Sequence, residues 1–159
     1  MTSKEIDQVP MAFELIPTGL GFTDNLQPCY RKAENDNVCF GLVVQEQHAN
    51  TMGNCHGGAL MTLADIAAGS GVNMARGEKF GAPTINLSLD FISPARQGQW
   101  IQTEIEGVSL KRRFGFIHGV INNAKGVVAR FNGTFYFPDH EGLWDEGKSR
   151  SCALSGFGE

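Results

Sequence analysis

The stretch Asn50-Thr-Met-Gly-Asn-Cys-His-Gly-Gly-Ala-Leu-Met-Thr-Leu-Ala-Asp65 gathers most of the residues in this chain that could do chemistry. A polar loop runs into a small and apolar segment, with Gly57 and Gly58 at the junction. Glycine lets backbone approach a ligand closely, and the first turn of a helix presents unpaired N–H donors at the positive end of its dipole. Such a junction suits an anion or a polarised carbonyl oxygen. Asp65 follows among Leu63, Ala64, Ile66 and Ala67. A carboxylate on that apolar surface is either paired structurally or held as a general base.

Within one helix these two groups cannot act on the same atom. Eight residues at ~1.5 Å rise set Gly57 and Asp65 about 12 Å apart. If both are catalytic, they come from different copies of the chain, and a symmetric dimer carries two equivalent sites at its interface.

Around this pair stand residues with two readings each. His56 either caps the helix or touches substrate; Asn50 either closes an Asx-turn or orients substrate or a water with its amide. Thr84 is either an ordinary β-branched strand residue or the hydroxyl that positions a water beside Asp65. Cys55 next to His56 is a poor nucleophile candidate, because sequential neighbours in a loop rarely face each other. The four histidines lack zinc-ligand spacing, so no metal is expected. Lys111, Arg112 and Arg113 form either a solvated turn or a contact for the phosphates of a nucleotide-bearing substrate.

The elements that must position these residues are legible from periodicity. Residues 57 to 75 carry Leu60, Leu63, Ala64, Ala67, Gly71 and Met74 at helical spacing, which predicts one long, largely buried helix. Period-2 alternation predicts strands over 38–45, 84–92, 99–110, 114–122 and 127–137, with a hairpin turn at Asn123 to Gly126. One helix and a run of strands read as an α+β domain, a curved antiparallel sheet with the helix on its concave face. Residues 1–35 read as an N-terminal arm, helical or irregular before Pro17, with turns over 17–28 and a first strand beginning near Cys29; 36–138 read as the domain and 139–159 as a loosely ordered tail anchored by Leu143 and Trp144. The sheet's edges make pairing with a second copy plausible.

Composition narrows the class. A chain of 159 residues with 42% apolar and 19% charged residues is expected to form one soluble domain, and no apolar run is long enough to span a bilayer. A net charge of −4 argues against nucleic acid, and the acidic start Met1 to Asp7 does not read as a secretory signal. A cytoplasmic location and free thiols at Cys29, Cys39, Cys55 and Cys152 follow as expectations.

Taken together, the sequence resembles hotdog-fold acyl-CoA thioesterases of the phenylacetic-acid-degradation type. The resemblance spans about residues 38 to 137. It rests on two histidines with seven residues between them followed by Gly-Gly (His48 to Gly58), Asp65, Gly81-Ala-Pro-Thr84, and Ser93-Pro-Ala95 with Gly98. It implies a helix wrapped by a strongly curved sheet, dimers joined through a continuous sheet, and commonly dimers of dimers. It also implies that Gly57 polarises the thioester carbonyl and that Asp65 of the partner subunit activates water or attacks directly. Asn50 and His56 would orient the thioester, Thr84 would help hold the water, and Gly58, Lys111, Arg112 and Arg113 would contact coenzyme A. No cofactor is implied.

Two rivals carry their own discriminators. A hotdog hydratase or dehydratase would have a histidine five residues after the aspartate, where this chain has Ser70. A non-catalytic acyl-CoA-binding module would not need a carboxylate at position 65. The acyl pocket is expected to depend on Phe80, Phe91, Phe114 and the N-terminal arm.

Overall fold

The computed structural model describes residues 6–78 and 81–138. Its seven strands are β1 (Glu14–Leu15), β2 (Tyr30–Glu34), β3 (Asn37–Val43), β4 (Thr84–Phe91), β5 (Trp100–Leu110), β6 (Phe114–Asn123) and β7 (Gly126–Tyr136), and its one α-helix is α1 (Gly57–Arg76). They form one antiparallel sheet in the order β1-β2-β3-β5-β6-β7-β4, with α1 packed against β3 to β7. This is a hotdog fold. Register shifts at Thr84/Asn86, Ile105/Gly107 and Ile121/Asn122 mark bulges, which bend strands. No described helix is long and apolar enough to cross a membrane.

The core lies between α1 and the inner face of the sheet. Leu63, Ala64, Ala67 and Val72 from the helix meet Phe40, Leu42, Ile101, Ile117, Ile121, Phe131 and Phe135 from the strands. Small helix residues let the two layers approach closely: a Cβ on Gly71 would lie 2.8 Å from Ile117 Cδ1. The helix ends at Gly77, whose φ of 67° is the left-handed conformation that glycine adopts freely and whose N–H returns to the last turn. Burying Leu63 alone contributes roughly 2–3 kcal/mol.

The N-terminal segment differs from its expected role as a separate arm. Of the two alternatives before Pro17, the described residues show no α-helix, and β2 begins at Tyr30, beside the strand start expected near Cys29; what departs is that β1 and β2 join the sheet and Ile16, Leu26 and Cys29 enter the core. Before β1 the chain lies on the outer face of the sheet, away from α1. There Asp7 Oδ2 accepts from Trp100 N–H at 2.8 Å, and the rings of Phe13 and Trp100 meet edge-on at 5.0 Å. The expected tail, with Leu143, Trp144 and Cys152, lies outside the described residues.

The apolar face of β4 also departs from expectation. Its alternation reads as a strand buried on one face, yet Ile85 and Phe91 are 59% and 58% exposed. β4 is an edge strand, paired with β7 on one side, and within one chain α1 only partly covers it.

Candidate active site

The loop Asn50 to His56 is held by backbone bonds to a segment forty residues away. Cys55 N–H donates to Ala95 O at 2.7 Å, and Gln97 N–H donates to Gly53 O at 3.0 Å. The Ser93-Pro-Ala95 motif is thereby the scaffold of the loop. His48, fully buried, closes the other side: its carbonyl accepts from His56 N–H at 2.7 Å, and its Nδ1 accepts from Gln45 N–H at 3.1 Å. Burial lowers the pKa of His48, with the carbonyls of Leu26, Gln27 and Val43 opposing that shift.

These bonds deliver His56 to the N-cap of α1, where its Nδ1 accepts from Gly58 N–H at 2.9 Å. An acceptor Nδ1 leaves the neutral ring with its proton on Nε2, on an exposed side chain. Both Ala59 and Leu60 donate to His56 O. Gly57 N–H is left with no acceptor among the described residues. The expectation that both glycines offer their N–H groups to a ligand therefore narrows to Gly57, because the His56 cap occupies Gly58.

Asn50 closes the turn and keeps a free end. Its Oδ1 accepts from Met52 N–H and Asn54 N–H at 2.9 and 3.2 Å, while its amide N–H2 takes no part in that turn. Gly57, Asn50, Asn54, Cys55, Leu60 and Phe91 are among the residues lining a groove of about 380 Å³. Cys55 is buried, and burial pushes its thiol pKa up to about 12, so it does not supply a thiolate there.

Asp65 lies outside that groove. It is half-buried two turns along the same face of α1, where Thr84 Oγ1 donates to its Oδ1 at 2.8 Å. Thr84 thus contacts the carboxylate directly. Gly57, Met61 and Asp65, at spacings of four, form a partly exposed stripe beside β4. The i, i+4, i+8 spacing that includes Met61 is visible in the sequence, whereas Asn54 carries no local signal.

The remaining candidates sit apart. Lys111, Arg112 and Arg113 occupy the β5–β6 turn beside the C-terminal end of α1, where Arg113 O accepts from Phe137 N–H at 2.8 Å and Arg113 Nη1 donates to Tyr136 OH at 3.0 Å. Nineteen helical residues, ~28 Å, separate Gly57 from Arg76 at that end in one chain. Phe91 lines the groove, Phe114 lies on the outer face against Tyr136, and Phe80 is outside the described residues. Ser70 is buried.

Comparison with known proteins gives the family and the fold. The family model of the thioesterase superfamily matches residues 52–130. A protein of Pseudomonas aeruginosa named as a putative esterase is 30% identical over 131 residues, covering 82% of this chain and 98% of its own length. Among solved structures, a mutant of the phenylacetic acid degradation protein PaaI from Thermus thermophilus is 24% identical with a TM-score of 0.65, over 74% of this chain and 98% of that one. A hypothetical thioesterase from Streptococcus pneumoniae, solved with coenzyme A, is 21% identical with a TM-score of 0.61, over 78% and 94%. The chain belongs to the thioesterase superfamily, and its enzyme class is thioester hydrolase.

Proposed function

We propose that this protein hydrolyses acyl-CoA thioesters to the free acid and coenzyme A in sites shared between two copies. One observation carries the reading: the unpaired Gly57 N–H and the Thr84-held Asp65 carboxylate lie on one partly exposed stripe of α1, ~12 Å apart. The Gly57 N–H and the helix dipole meet the carbonyl oxygen and stabilise the oxyanion; a single such donor is worth about 10²–10³ in rate. Asp65 of the partner subunit either takes a proton from the water that attacks the carbonyl carbon, or attacks that carbon itself to form a mixed anhydride that water then hydrolyses to the acid and free Asp65; in both routes the thiolate of coenzyme A leaves. In single-turnover hydrolysis in isotope-labelled water, an unlabelled acid with label in Asp65 assigns the nucleophilic route, because only water attack on the Asp65 carbonyl of an anhydride puts an Asp65 oxygen into the acid.

The two-fold arrangement is consistent with the exposed surface. When Gly57 of each copy faces Asp65 of the other, the helices run antiparallel with the axis near Met61. The same axis passes near the middle of β4, whose open edge and exposed Ile85 and Phe91 would then be covered. It also carries the Lys111–Arg113 turn towards the loop end of the partner's groove, where Lys111 and Arg112 meet the coenzyme A phosphates. Dimers of dimers, a cytoplasmic location and the absence of a cofactor complete the proposal.

A thiol-release assay over a panel of acyl-CoAs tests it. Wild type releases thiol and Asp65→Ala loses roughly 10²–10⁴ of that rate. No turnover of any acyl-CoA, or equal turnover by the variant, overturns the reading.

A further inference from the structure

The ring of Phe91 lies against Gly57. A Cβ built on Gly57 would sit 3.3 Å from Phe91 Cζ and 3.5 Å from Cε1, so ring and glycine backbone are already close to contact. Phe91 is the last residue of β4, and 58% of it is exposed within one chain. The lining of the groove is graded by element: the loop brings the amides of Asn50 and Asn54, whereas Leu60, Phe91, Ile92 and Ala95 bring hydrocarbon, and the hydroxyl of Ser93 on that side donates to Val127 O. Amides suit the amide-bearing thiol arm of the substrate, and hydrocarbon suits its acyl chain.

We propose that Phe91 determines acyl specificity by walling the α-carbon position, so that the enzyme takes acyl groups unbranched at that carbon. The inference rests on the thioesterase reading. An oxygen bound to Gly57 N–H lies about 3 Å from that nitrogen, and the acyl α-carbon is two bonds further on, ~2.4 Å from the oxygen. The α-carbon is thereby confined to within about 5 Å of Gly57 N, the region the Phe91 ring borders. A methyl branch there meets the ring; a branch one carbon further out clears it.

The test compares wild type, Phe91→Ala and Phe91→Leu on butyryl-CoA, isobutyryl-CoA and isovaleryl-CoA. One misplaced methyl is worth about 10–200-fold in kcat/KM, so wild type favours butyryl over isobutyryl by that order. The preference falls at least about tenfold in Phe91→Ala and less in Phe91→Leu, while the butyryl-to-isovaleryl ratio changes little. A butyryl-to-isobutyryl ratio unmoved in both variants overturns the proposal. So does a change that follows the thiol portion, coenzyme A against N-acetylcysteamine, instead of the acyl group. Kd values for the matching CoA ketones, with methylene in place of sulfur, keep the two readings distinct. If wild type turns over no thioester, the catalytic reading fails, and the straight-to-branched Kd ratio still decides on Phe91; an equal ratio, or no binding of either ketone, overturns it.

Discussion

Thr84 Oγ1 donates a 2.8 Å hydrogen bond to Asp65 Oδ1, joining the first residue of β4 to the middle of α1. One carboxylate oxygen is thereby oriented and the other left for chemistry. Replacing Thr84 with Val keeps the β-branched shape and removes the donor; a hydrogen bond to a charged group contributes about 1.5–3 kcal/mol. The expected result is a fall in kcat of roughly tenfold to a hundredfold, with KM little changed and Thr84→Ser close to wild type. Steady-state kinetics on one acyl-CoA checks it.

Cys55 borders the Gly57 groove, which makes it the rival nucleophile to exclude. Its thiol is raised to about 12 by burial, so it is not a thiolate at neutral pH. Cys55→Ala retains activity within a few-fold, and mass spectrometry after iodoacetamide treatment of the native protein finds Cys55 unmodified. Loss of turnover in a folded Cys55→Ala protein would contradict this.

Acid acts on the fold through His48. Burial holds its folded-state pKa below the ordinary histidine value of 6.5, so the unfolded chain binds the proton first. The stability tied to neutral His48 is fully present above about pH 6.5 and is lost as pH falls from there towards the lowered folded value. Urea midpoints fall between pH 7.5 and pH 5.5, and the fall is smaller in His48→Gln. An identical pH dependence in the two proteins would rule out His48 as its source.

The basic turn is tested through the substrate's phosphates. Charge reversal of the exposed Lys111 and Arg112 to Glu raises KM for acyl-CoA about tenfold, leaving the phosphate-free N-acetylcysteamine thioester unaffected. An equal effect on both substrates would assign the turn a structural role.

Much of this was legible before the structure, for physical reasons that also explain what was not. The helix over 57–76 and the strands β3, β5, β6 and β7 show because each buries one face, and burial writes its period into the residues; β4 shows the same alternation although its face stays largely exposed within the chain. The N-terminal segment has no such period. Its place depends on contacts far along the chain, such as Asp7 with Trp100, and β1 is only two residues long. The residues from Asn50 to Asp65 were identifiable by type, but the choice between Gly57 and Gly58 as donor depends on the His56 rotamer, which no spacing encodes. The exposure of Phe91 was hidden for the opposite reason. Alternation marks a face that is to be covered and does not say whether the cover comes from the same chain.

The shared site is tested most directly by complementation between two inactive variants. Asp65→Ala removes the carboxylate; Gly57→Pro removes the N–H at the first helical position, where proline is well tolerated and where His56, at ψ of 140°, already has the backbone that a following proline requires. Each is inactive alone. Co-refolded in equal amounts, half of the dimers are mixed and each mixed dimer regains one of two sites, so activity returns to about a quarter of wild type. Mixtures that stay inactive despite demonstrated mixed dimers, or a catalytically active monomer, would contradict a site built from Gly57 of one copy and Asp65 of the other.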